Sequence, residues 1–156
     1  MEIINHSAED TFNWAFSLAK NAKSGEIICL CGDLGAGKTL FAKGFGAGLG
    51  VVSEITSPTF TILNIYNSSQ QLLPLYHFDV YRISSIIEMD DTGFEEFFYG
   101  NGVCLIEWAE IIKEIIPDSA VWIIINKDLS ISDDYRRISL NSDIPASENI
   151  WGRGMR

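Results

Sequence analysis

Basic residues are scarce in this chain. Eleven Lys and Arg stand against 21 Asp and Glu, a formal charge of −10 at pH 7. Proteins that grip nucleic acid directly carry basic patches whose contacts release counterions, so strong direct binding to RNA or DNA is not expected. Histidine is nearly absent, limited to His6 and His77, and the three cysteines are Cys29, Cys31 and Cys104. Those numbers offer no ligand spacing for structural zinc. Cys29 and Cys31 would share one face of a strand, awkwardly for a disulfide, so the thiols read as small hydrophobes in a reducing cytoplasm. Long apolar runs are missing too. The longest, about five residues at 121–125, falls far short of the ~20 that a spanning helix needs. Met1-Glu2-Ile3-Ile4-Asn5-His6 has neither a basic region nor a long apolar stretch, so no secretion signal and no membrane are expected. The chain reads as cytoplasmic.

What is present describes one ordinary globular domain. At 156 residues with 47% hydrophobic and 21% charged positions, a chain buries roughly 68–70% of its unfolded surface. No repeat, low-complexity stretch or linker divides it. Ser7 with Asp10 forms an N-cap pair, followed by Phe12, Ala15, Phe16, Ala19 and Ala22 at helical spacing. Residues 26–31 read as a buried strand, 38–49 as a helix despite Gly44, Gly46 and Gly48, and 59–66 with 72–81 as a strand pair turning at Asn67-Ser68-Ser69-Gln70. Residues 84–99 read as helix broken at Gly93, 103–106 as a buried strand ending in Glu107-Trp108, and 109–116 as a short helix stopped by Pro117. Residues 121–125 and 137–140 are late strands. Together with the glycine loop Gly32-Asp33-Leu34-Gly35-Ala36-Gly37-Lys38-Thr39 that follows the first core strand, the alternation implies an α/β, three-layer fold of the P-loop NTPase kind, its central mostly parallel sheet carrying an antiparallel hairpin region. Residues 1–140 form the domain, and 141–156 are expected to be a mobile tail.

The strongest signal is Gly32-Asp33-Leu34-Gly35-Ala36-Gly37-Lys38-Thr39, which fits G-x-x-x-x-G-K-[ST] without adjustment. Glycines let backbone N–H groups turn around a phosphate at the positive end of the next helix. Lys38 reaches the β- and γ-oxygens, and the Thr39 hydroxyl is a hard ligand for Mg2+. The strand before it and the helix after it supply the expected context. A metal-linked carboxylate is also needed at the end of a neighbouring strand, and Glu107 stands there, where Asp is usual. Gly44, Gly46, Gly48 and Gly50 lack the third glycine of a dinucleotide fingerprint and read instead as close-packing positions.

Three classes share such a loop. For a GTPase, Asp90-Asp91-Thr92-Gly93 matches D-x-x-G but follows helix-like residues. Asn126-Lys127-Asp128-Leu129 nearly gives N-K-x-D, with its Asp one position early. For a small-molecule kinase an arginine-rich lid is expected, whereas arginine occurs only at 82, 136, 137, 153 and 156. A nucleotide-dependent switch with slow hydrolysis fits best. Residues His77, Asp79 and Tyr81 alternate on one strand face, which by itself reads as a polar face exposed to water. Phe60, Phe78 and Phe94 read as core.

The phosphate loop, followed by Ser57-Pro58-Thr59-Phe60, then His77-Phe78-Asp79-Val80-Tyr81-Arg82, then Glu107-Trp108, resembles the TsaE (YjeE) family. That family is the ATPase of bacterial tRNA threonylcarbamoyladenosine synthesis, and the resemblance runs from about residue 7 to 140. It implies ATP as substrate, ADP as product and Mg2+ held through Thr39 and Glu107. It implies that Lys38 and Leu40 join the phosphate contacts and that Asp79 is the carboxylate needed for hydrolysis. It implies a switch at residues 57–60, and a site or partner surface near His77, Tyr81, Arg82 and Trp108. Thr11 and Arg137 are the residues expected near the nucleotide base. The partners implied are TsaD and TsaB, which place the threonylcarbamoyl group on adenosine 37 of tRNAs reading codons that begin with A.

Overall fold

A computed structural model describes residues 1–58, 60–67 and 70–140. The expected tail at 141–156, Thr59 of the switch segment, and Ser68-Ser69 of the expected turn lie outside the described residues. In chain order the elements are β1 (Glu2–Asn5), α1 (Ala8–Ala19), β2 (Ile27–Cys31), α2 (Lys38–Leu49), β3 (Leu63–Tyr66), β4 (Leu75–Asp79), α3 (Ile87–Asp90) and α4 (Phe94–Phe98). β5 (Val103–Glu107), a 3-10 segment (Ala109–Ile115), β6 (Val121–Lys127) and β7 (Arg136–Leu140) complete them.

All seven strands share one sheet in the order β1-β7-β6-β2-β5-β4-β3. Its centre, β6-β2-β5-β4, is parallel. The expected antiparallel pair, β3 with β4, forms one edge. β7 and β1 add a second antiparallel edge. β1 had no sequence signal: four residues without flanking turn chemistry do not declare themselves, and the strand is recruited by pairing with β7.

Both faces of the central strands are covered, which is why β2 reads Ile-Ile-Cys-Leu-Cys and is buried throughout. Ile28 and Leu30 face α1 and α2 with Leu105, Ile123 and Phe45. Cys29 and Cys31 face the opposite layer with Phe78, Cys104, Met89 and Phe98. All three thiols are free and buried. Burial raises each of them, Cys104 to about 12, which suits packing rather than reactivity.

α1 begins at a full capping box: Ser7 Oγ accepts from Asp10 N at 3.0 Å, and Asp10 Oδ2 accepts from Ser7 N at 3.0 Å. The glycine run in α2 explains how closely the two helices approach. A Cβ at Gly44 would stand 2.4 Å from Phe12 O, and one at Gly48 2.3 Å from Phe16 O. Each glycine costs about 1 kcal/mol of helix propensity, and the backbone contact it permits brings α1 down onto α2. Gly93, at φ +67, separates α3 from α4 as expected.

Candidate functional site

Three neighbouring parallel strands, β2, β5 and β4, end on the same side of the sheet, the side on which open α/β sheets bind ligands. The phosphate loop leaves β2 there. Gly32 has φ +143, and a Cβ on it would lie 2.2 Å from the Ile125 carbonyl oxygen of β6, so only glycine lets the chain leave β2 this close to its neighbour. Gly37, at φ +110, caps α2 without a side-chain hydrogen bond, and the first intrahelical donation is Phe41 N to Gly37 O at 2.9 Å. The N–H groups of the first helical turn are therefore left to face a ligand.

The loop borders a cleft of about 350 Å3 lined by residues that include Lys38, Thr39, Ser57, Asp79, Glu107 and Trp108. Lys38 is buried. Its Nζ donates to Gly32 O at 2.6 Å and Asp33 O at 3.0 Å, and it sits 3.7 Å from the centre of the Trp108 ring. Burial lowers the pKa of this ammonium, against the opposing pull of Glu110 and then Glu107. Trp108 presents its ring from a left-handed backbone, φ +61, a conformation costing a bulky residue about 1–3 kcal/mol. The ring also meets Tyr81, with ring centres 4.6 Å apart.

Thr39 Oγ1 donates to Glu107 Oε2 at 3.2 Å, joining the start of α2 to the end of β5. Glu107 Oε1 is 2.9 Å from His77 Nε2. Asp79 stands opposite Glu107 in the β4–β5 register, accepting from Ser57 Oγ and, at 3.0 Å, from Tyr81 N. The donor set suits Mg2+: a hydroxyl and carboxylates are hard oxygens, and this ion keeps several waters rather than demanding a protein cage. No cluster of three or more His, Cys, Asp or Glu able to hold a metal occurs among the described residues.

The expected site residues do not all converge. Leu34, Gly35, Gly37, Leu40, Tyr81 and Arg82 line the cleft with the residues above. Ala36 and Pro58 are buried and Asp33 is exposed. Phe60, expected in the core, is 86% exposed and lies 4.9 Å from the Arg82 guanidinium; the β3 strand begins only at Leu63, so no strand or helix among the described residues folds over it. His77 and Asp79, by contrast, are buried rather than on a water-facing strand surface, because α2 covers that face.

Thr11 is buried away from the cleft lining and accepts from Asn5 Nδ2 at 3.2 Å, tying α1 to β1. Arg137 is exposed and pairs with Glu2 at 3.1 Å. Its neighbour Arg136 reaches the loop instead, Nε donating to Ala36 O at 2.6 Å. Lys127, paired with Arg136 across β6 and β7, puts Nζ 3.5 Å from Leu34 O. Strand parity carries that distinction: Arg136 shares its face with core residue Ile138, and Arg137 does not. Glu110 was also unmarked in the sequence. It is buried beside the loop, one carboxyl oxygen has no hydrogen-bond partner among the described residues, and burial raises its pKa.

The guanine-reading alternative rests on Asp128 and Asp90. Asp128 Oδ1 accepts from Ser130 N at 3.0 Å and from Ser130 Oγ, so this oxygen is engaged in its own turn. Asp90 closes α3 in the layer opposite α2 rather than ending a central strand.

The model of the family described as "Threonylcarbamoyl adenosine biosynthesis protein TsaE" matches residues 5–138. The tRNA threonylcarbamoyladenosine biosynthesis protein TsaE of Bacillus subtilis (strain 168) is 46% identical over 134 residues, 86% of this chain and 80% of its own length. The protein of the same name from Treponema pallidum (strain Nichols) is 44% identical over 123 residues, 79% and 89% of the two chains. The crystal structure of Bacillus subtilis YdiB superposes with a TM-score of 0.76 at 38% identity, covering 97% of this chain and 91% of that one. That likeness agrees with the P-loop NTPase-like architecture described above. With loop, strand-end carboxylate and helix pairing all lying inside the matched span, the chain belongs to the TsaE family of threonylcarbamoyl adenosine biosynthesis proteins.

Proposed function

We propose that this chain is the Mg2+-dependent ATP-binding and ATP-hydrolysing subunit of tRNA threonylcarbamoyladenosine synthesis. It works with TsaD and TsaB in the cytoplasm and resets their assembly between turnovers on adenosine 37. The observation that carries the reading is the Thr39 to Glu107 hydrogen bond of 3.2 Å beneath the phosphate loop. It joins a helix-start hydroxyl and a strand-end carboxylate at the point where the metal accompanying a β,γ-phosphate pair would be held. Bound Mg2+ would neutralise charge developing on the phosphates.

The chain's own residues do the rest. Loop amides and the start of α2 hold the phosphates, and Lys38 exchanges Gly32 O and Asp33 O for phosphate oxygens. Asp79 orients the attacking water. Its link to Ser57 couples that carboxylate to the segment at 57–60, whose Phe60 projects outward where a partner can engage it. Hydrolysis is slow until a partner fixes that segment. No helix among the described residues is long and apolar enough to cross a membrane.

Thermal unfolding with Mg-ATP and Mg-GTP side by side tests the nucleotide. A ligand at 100 times its dissociation constant adds about 2.7 kcal/mol, a rise of roughly 5–10 °C for a domain of this size. ATP is expected to give that rise and GTP much less. A larger rise with GTP would overturn the ATP reading.

A further inference from the structure

His77 is fully buried at 0% exposure, two residues before Asp79 on β4. Parity turns it toward the layer that holds α2, along with Leu75. An apolar side chain of the same size would fill that place without leaving polar atoms in the interior. Instead an imidazole stands there with only one nitrogen satisfied: Nε2 is 2.9 Å from Glu107 Oε1, and Nδ1 has no partner among the described residues. Buried polar atoms are nearly always paired, so an exception needs a physical reason.

Glu107 supplies one. Its two oxygens are divided, Oε1 to His77 and Oε2 to Thr39. Glutamate has one more rotatable bond than the aspartate usual at this strand end, and holding it in one rotamer costs side-chain entropy. We propose that His77 is a positioning residue: its Nε2–H donates to Oε1 and so fixes the Glu107 carboxylate with Oε2 turned toward Thr39 and the metal side of the cleft. Nδ1 is left unpaired as the consequence of committing the ring to that single bond. The inference rests on the proposed Mg-nucleotide site and assigns the residue that makes its carboxylate rigid.

The test uses calorimetry of a non-hydrolysable ATP analogue with Mg2+ and again with EDTA. The ratio of the two affinities measures what the metal adds. His77→Gln and His77→Asn are both polar and of similar bulk, but only the Gln amide reaches as far as Nε2. Partners one step removed from a metal typically alter its affinity about 10–100-fold. His77→Asn is expected to lower the Mg2+/EDTA ratio at least tenfold with the EDTA affinity within twofold of wild type, and His77→Gln to keep most of the ratio. In a Glu107→Gln background, His77→Asn should change the ratio no further, since both act through one carboxylate. Equal ratios for Asn and wild type, or an equal fall with Mg2+ and EDTA, would overturn the assignment of His77 alone. A wild-type ratio near one would overturn the metal site itself and His77 with it.

Discussion

Lys38→Ala is expected to weaken binding of Mg-ATP by a hundredfold or more in calorimetry. The ammonium already occupies the phosphate end of the cleft, bonded to Gly32 O and Asp33 O and covered by the Trp108 ring. Its neighbours Glu110 and Glu107 are carboxylates that the ammonium offsets. On the proposed function, removing it would take away the donors to the β- and γ-oxygens and leave those acids facing a triphosphate. Truncating one partner of a buried, hydrogen-bonded charge pair costs about 2–5 kcal/mol, and each 1.4 kcal/mol is tenfold in affinity. An unchanged dissociation constant would mean that nucleotide does not enter this loop.

Asp79→Asn is expected to lower the steady-state rate of ATP hydrolysis at least a hundredfold and leave nucleotide affinity within a few-fold. The amide can still accept from Tyr81 N and meet Ser57 Oγ, so the local structure survives. What it loses is the anionic acceptor for a water proton, and proton transfer or positioning by a side chain contributes about 100–10,000-fold. Asp79 ends β4 beside Glu107 on β5, and on the proposed function the first would serve the water and the second the metal. Persistence of hydrolysis in Asp79→Asn, with or without TsaD and TsaB, would make the residue structural.

Much of this arrangement was legible in the chain because the strongest determinants are local. The phosphate loop needs glycines, lysine and threonine at fixed spacing, and α2 runs over Lys38–Leu49 as that spacing requires. The Ser7–Asp10 capping box and the break at Gly93 are likewise local chemistry. What escaped is set by pairing across the sheet. β1 exists through its ladder to β7, and that ladder decides that Arg137 meets Glu2 while Arg136 meets the loop. Thr11 is drawn to Asn5 by the same edge. His77 looked like part of a wet strand surface because alternation does not reveal which layer covers it, and α2 does. Phe60 looked like core from composition, yet the strand begins three residues later and leaves it in solvent. Glu110 carries no motif; its interest comes from burial next to Lys38.

A crystal structure with a non-hydrolysable ATP analogue and Mg2+ would decide whether this loop is a triphosphate cradle. The β-phosphate is predicted to lie within hydrogen-bond distance of the amides at residues 35–39. Lys38 Nζ should have left Gly32 O and Asp33 O for phosphate oxygens, and the metal should sit against the Thr39 hydroxyl on the Glu107 side. Analogue bound elsewhere, with Lys38 still folded onto its own loop carbonyls, would contradict it.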